Sequence, residues 1–152
     1  AEVASCRRKQ DPLSLIILDI DHFKSVNDTH GHQAGDKILK GIATLLQKKL
    51  RKGDGEIFRY GGEEMVVLLP RTTTEHAAEV AERLRVAIEE KKFSIGRKKS
   101  LQITSSFGVA TFHLGMKEGA DLIQKADEAL YKAKKGGRNR VEILTREELA
   151  GV

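Results

Sequence analysis

Residues 56–69 read Glu56-Ile57-Phe58-Arg59-Tyr60-Gly61-Gly62-Glu63-Glu64-Met65-Val66-Val67-Leu68-Leu69. Two β-type runs flank the pair Gly61-Gly62. A two-residue glycine link between such runs predicts a tight hairpin, because primed turns need positive φ. Glycine also leaves the backbone bare, so that a ligand can touch it. Glu63 and Glu64 follow at once. A hairpin tip that is free of side chains and edged with acid suits a phosphate substrate carried with a metal ion.

A second acidic position lies upstream. Leu13-Ser14-Leu15-Ile16-Ile17-Leu18 reads as a buried strand and runs into Asp19-Ile20-Asp21. Strand alternation puts Asp19 and Asp21 on one face and Ile20 on the other. A carboxylate at the end of a buried strand is costly unless it is solvated, paired or metal-bound. Magnesium takes oxygen ligands, typically one or two carboxylates plus substrate phosphates. Asp19 with Glu63 or Glu64 supplies that set if the strand and the hairpin are neighbours.

Helical periodicity places an apolar stripe Ile38, Ile42, Leu45, Leu46 on a helix over about 33–49, and Ala77, Ala81, Leu84, Ile88 on a second over about 74–91. A third helix, over about 119–135, turns Leu122, Ala126, Ala129, Leu130 and Ala133 inward, with Gly136 as its cap. Residues 94–99 read as a basic loop or hairpin, 101–112 as one long strand and 141–144 as a short final strand. The expected order is β-α-β-β-α-β-α-β, an α/β (α+β) arrangement with a mostly antiparallel central sheet flanked by helices. Residues 1–11 read as the tail of a linker helix, 12–146 as the domain and 147–152 as a C-terminal tail.

The chain has 152 residues, 39% hydrophobic and 32% charged, which fits one globular domain with a proper core. Cys6 is the single cysteine and has no internal disulfide partner, as in a reducing cytosol. The apolar runs reach about six residues, too short for direct membrane insertion. Net charge is +5, but the basic residues are scattered and aromatics make up only 5%, so no base-stacking platform exists and nucleic acid is not the expected partner. The first residue is Ala1 rather than methionine, so the sequence reads as an excerpt of a longer chain.

Four ordered motifs resemble the GGDEF family of diguanylate cyclases. Residues 18–36, from Leu18-Asp19-Ile20-Asp21-His22-Phe23-Lys24 through Asn27-Asp28 to Gly35-Asp36, resemble its opening signature. Arg59-Tyr60-Gly61-Gly62-Glu63-Glu64 resembles the name-giving motif in its glutamate form, Thr104–Ala110 a late central strand, and Ala126–Arg140 the last helix and turn. The resemblance implies a palm-like nucleotidyl cyclase fold with a ferredoxin-like core. It implies a homodimer in which two GTP molecules become cyclic di-GMP and pyrophosphate, with Mg²⁺ (Mn²⁺ as the alternative) as cofactor.

The same resemblance assigns roles. Asp19, Glu63 and the Ile20 carbonyl would hold metal, and Glu63 or Glu64 would take a proton from the 3′-hydroxyl. Asn27 and Asp36 would read guanine, with His32 between them. Lys24, Lys134, Arg138 and the backbone near Phe23 would hold the triphosphate, and the Gly62 backbone would touch substrate. Arg51 and Asp54 have the form of a product-inhibition site, with Arg83 as a further contact. Six residues separate Asp54 from Gly61, one more than in the family pattern. Met65 stands where the family usually has Phe, and His30 where it often has an aromatic residue. The usual motif before the first strand is absent. Its absence reads as truncation, and the resemblance implies a sensor or receiver domain upstream, in a cytoplasmic protein that an N-terminal region could tether to a membrane. The competing reading is a catalytically weak module that binds GTP or cyclic di-GMP.

Overall fold

The structure is a computed structural model that describes residues 11–50, 54–112, 116 and 119–150. The expected N-terminal helix tail and Cys6 lie outside these residues. The main sheet has five strands in the order β2-β3-β1-β6-β7. They are β1 (Leu13–Ile20), β2 (Glu56–Gly61), β3 (Glu64–Pro70), β6 (Ser105–Thr111) and β7 (Arg140–Ile143). All neighbours are antiparallel except β6 and β7, which run parallel. The helices are α1 (Phe23–His30), α2 (His32–Lys49), α3 (Thr74–Glu90), α4 (Gly119–Lys135) and α5 (Arg146–Ala150). A separate ribbon pairs β4 (Phe93–Gly96) with β5 (Lys99–Leu101).

β1 is the central strand, and all eight of its residues are buried. That explains its unbroken apolar run, since a strand covered on both faces has no solvent side. On one face Ile16, Leu18, Ile20, Met65, Val67 and Phe107 pack with Ile38, Ile42 and Leu46 of α2 and Ala81, Leu84 and Ile88 of α3. On the other face Leu13, Leu15, Ile17 and Val66 pack with Leu122, Ala126 and Leu130 of α4. The result is three layers with the sheet in the middle. At Gly108 a Cβ would lie 2.2 Å from the Ala126 carbonyl oxygen and 2.3 Å from the Leu130 nitrogen, so α4 lies directly against β6 there. Met65 points into the core at 3% exposure, as alternation from Glu64 requires.

Several sequence expectations need correction. The long strand over 101–112 is two strands in different sheets, broken at 102–104. β1 ends at Ile20, opposite Ser105, so nothing remains for residue 104 to pair with. Thr104 instead accepts a hydrogen bond from the Asp21 amide at 3.0 Å. α1 was not foreseen. It is too short to show a period, and its N-cap, His22, is in the left-handed region (φ 57°) with no side-chain cap. The left-handed backbone after α4 begins at Gly137 (φ 123°), not at Gly136. The Arg138 amide returns to the Ala133 carbonyl and the Gly137 amide to that of Lys134, a Schellman end. Part of the expected C-terminal tail is α5. It opens with a capping box in which the Glu148 amide donates to Thr145 Oγ1 (3.1 Å) and the Thr145 amide to Glu148 Oε1 (2.8 Å).

Candidate active site

The antiparallel register sets Asp19 of β1 directly across from Glu64 of β3. The two acids read from distant stretches of sequence therefore share one end of the sheet. Asp19 is buried, at 5% exposure. Lys134, in the last turn of α4, donates to Asp19 Oδ2 and forms an ion pair with it. Asp19 Oδ1 is buried and has no hydrogen-bond partner. Burial pushes the Asp19 carboxyl up from its ordinary range. The Lys134 hydrogen bond and charge oppose this, while the charges of Glu63 and Asp21 add to it. The Glu64 carboxyl is also pushed up, first by burial, then by the charges of Asp19 and Asp127.

The hairpin tip forms, but not in the expected way. Gly61 and Gly62 are not among the residues with positive φ. Instead the register shifts between Arg59 and Gly61, so Tyr60 bulges. A bulge supplies the twist that a primed turn otherwise provides. Arg59 then closes the turn, donating to the Gly62 carbonyl from Nε (3.2 Å) and Nη2 (2.9 Å). A Cβ at Gly61 or at Gly62 would meet nothing within 4 Å. Neither φ nor packing demands these glycines, and what they leave is bare, approachable backbone.

The guanine-reading candidates come together across the α1–α2 junction. A Cβ on Gly35 would lie 2.0 Å from Asn27 Oδ1, so the Asn27 amide lies over α2 one residue before Asp36. Asn27 Oδ1 is buried and unpartnered. Asn27 is inside a helix rather than a turn, and Asp36 lies beyond the first turn of α2, which carries no acid. Turn and capping chemistry therefore explain neither residue. His32 and Asp36 are exposed. Lys24 is exposed in the first turn of α1, whose start has no side-chain cap and offers free N–H groups. Arg138 is exposed in the turn after α4.

Arg51 lies outside the described residues, so the proposed inhibitory pair has no described geometry. Arg83 is exposed on α3, in a cleft shared with Lys49, Glu79, Glu82 and Glu90. Sequence reasoning missed the partners of Asp21. Thr104 Oγ1 and Ser106 Oγ each donate to its carboxylate at 2.6 Å, and the Asn139 amide donates at 3.0 Å. The hydroxyl run Thr104-Ser105-Ser106 at the mouth of an apolar strand was the available signal.

The family model described as "Diguanylate cyclase, GGDEF domain" matches residues 1–140. The chain belongs to the GGDEF family. Among its relatives is diguanylate cyclase DgcP of Pseudomonas aeruginosa, 49% identical over 142 residues. That match takes in 93% of this GGDEF domain but only 21% of the relative's length. The active GGEEF domain of a diguanylate cyclase from Vibrio cholerae superposes with a TM-score of 0.88 at 37% identity, over 95% of this chain and 90% of that one. The GGDEF domain of DgcB from Caulobacter crescentus, solved in complex with c-di-GMP, gives 0.86 at 34% identity, over 93% of this chain and 83% of that one. The mixed, mostly antiparallel sheet between helices is thus the palm-like fold of these domains. No helix among the described residues is long and apolar enough to cross a membrane.

Proposed function

We propose that this GGDEF domain is a diguanylate cyclase that joins two GTP molecules into cyclic di-GMP across a homodimer. Each 3′-hydroxyl oxygen bonds to the α-phosphorus of the other GTP. The bond from that phosphorus to the β-phosphate oxygen breaks, and two pyrophosphates leave with the two hydroxyl protons released. The observation that carries this reading is Asp19, with one buried carboxylate oxygen unpartnered beside a bare, acidic hairpin tip.

A divalent cation, with magnesium the preferred ion, fits that corner. Among the described residues no three His, Cys, Asp or Glu side chains converge as a ready cage. Asp19, Glu63 and the Ile20 carbonyl are the donors at hand, and magnesium takes its remaining ligands from water and phosphate. When bound, the ion neutralises charge on the attacking and leaving oxygens. Lys134 is held at Asp19 and adds a cation beside the phosphates. Lys24, Arg138 and the free amides at the start of α1 hold the rest of the triphosphate. Whichever of Glu63 and Glu64 is not committed to the cation takes the 3′-hydroxyl proton. The Asp36 carboxylate accepts from guanine N1–H and N2–H, and the Asn27 amide donates to an acceptor on the base. Adenine presents the wrong pattern. The input signal would enter through a sensor or receiver domain upstream.

The test is incubation of the purified domain at high concentration with GTP and Mg²⁺, followed by product mass analysis. Cyclic di-GMP with pyrophosphate is expected, and Asp19→Asn and Glu63→Gln should each abolish it with the fold intact. Normal turnover by either variant overturns the metal assignment. Silence from enforced dimers of the unaltered chain favours a binding module instead.

A further inference from the structure

Asp19 and Asp21 lie two residues apart, yet their surroundings are opposite. Asp19 keeps a bare oxygen, whereas the Asp21 carboxylate, 6% exposed, is saturated by two hydroxyls and one amide. That amide belongs to Asn139, the third of three successive residues with positive φ: Gly137 (123°), Arg138 (64°) and Asn139 (45°). For Arg138 this backbone is strained, and a run of three such residues persists only when the surroundings hold it. Two grips do so. From below, Asp21 takes the Asn139 amide. From the side, α3 takes the Asn139 side chain, whose Nδ2 donates to Glu89 Oε2 (2.6 Å) and whose Oδ1 accepts from Arg85 Nη1 (2.8 Å). Arg85 is itself held by Glu82 at 2.8 and 2.6 Å.

We propose that Asp21 is a positioning residue for the reaction: its carboxylate holds residues 137–139 in the left-handed run that presents Arg138 to the phosphates of the nucleotide. This rests on the function proposed above. Asp21 touches neither substrate nor cation. It acts through the turn, and Ser106, one of its donors, is also the β6 residue opposite Asp19 in register. One carboxylate thereby ties the acidic corner and the basic turn to the same strand.

The experiment measures KM for GTP and kcat in Asp21→Ala, Asp21→Asn, Arg138→Ala and the double variant Asp21→Ala/Arg138→Ala. Asp21→Ala should raise KM about tenfold, the cost of one lost charged phosphate contact, with kcat changed less than about threefold. Asp21→Asn keeps an acceptor for the Asn139 amide, because the Ser106 hydroxyl can turn to accept, and should restore most of the loss. With Arg138 already removed, Asp21→Ala should add almost nothing. An unchanged KM in folded Asp21→Ala, or a full further rise in the double variant, overturns the role. If Asp21→Ala fails to melt cooperatively, Asp21→Leu replaces it. That variant fills the same space but cannot accept from the Asn139 amide, and an unchanged KM again overturns the role. No product from enforced dimers of the unaltered chain refutes the cyclase reading itself, whereas product with unshifted KM in the variants refutes only Asp21.

Discussion

Neither packing nor left-handed backbone requires Gly61 or Gly62, so on the function proposed above the requirement for glycine comes from the substrate. Open space surrounds both positions, and neither needs left-handed backbone. Gly62→Ala should therefore leave stability within about 0.5 kcal/mol of the original, as for an ordinary surface change. GTP turnover should nevertheless fall at least tenfold, roughly, because the added methyl stands where substrate approaches. Thermal melts beside product assays check both halves, and a large loss of stability would mean that the turn itself wants glycine. The acids were legible from sequence for the same local reason: a strand ending in Asp19 and a turn followed by Glu63-Glu64 are visible within a few residues. The Lys134 contact was not, since it spans 115 positions. The opposite fates of Asp19 and Asp21 were also hidden, because alternation assigns a face but not a partner.

Among the elements, legibility followed periodicity. α2, α3 and α4 carry long apolar stripes and appear close to where those stripes place them. α1 has only Phe23 and Val26 to mark an inner face, and it begins from a left-handed histidine, so no pattern announces it. The break at 102–104 arises from the length of β1, which no local window contains. α5 does have a local signal, for Thr145-Arg146-Glu147-Glu148 is a capping-box sequence. Its lock also gives a pH prediction. Glu148 accepts from Lys132 Nζ at 2.9 Å and from the Thr145 amide, and these, Lys132 first, push its carboxyl from an ordinary 4.5 down to about 2. A lowered folded pKa means that the contribution is present above 4.5 and is lost as pH falls towards 2. Glu148→Gln should fray α5 at neutral pH as acid does in the original chain, leaving the core melt in place. Amide exchange over 146–150 checks this, and unchanged protection there would show that the lock is idle.

On the scale of the whole molecule, the acids lie on β1, β3 and the turn between β2 and β3, while the cations come from α1, α4 and the turn after α4. On the function proposed above, one domain builds one half-site and holds a single GTP. If two half-sites must meet, product formed per unit of protein should rise with protein concentration until dimers saturate. A specific activity independent of concentration, measured across the range where the chain is monomeric by ultracentrifugation, would refute the face-to-face arrangement. The Asp19–Lys134 pair has a further meaning for a chain made from its N-terminus. Asp19 is translated early, but its counter-cation Lys134 and the turn beyond it emerge only when synthesis of the domain is nearly complete. A ribosome-bound or prematurely stopped chain that lacks α4 carries acids without their cation and cannot assemble the pocket. On the function proposed above, a chain still being translated cannot turn over GTP until the domain is finished.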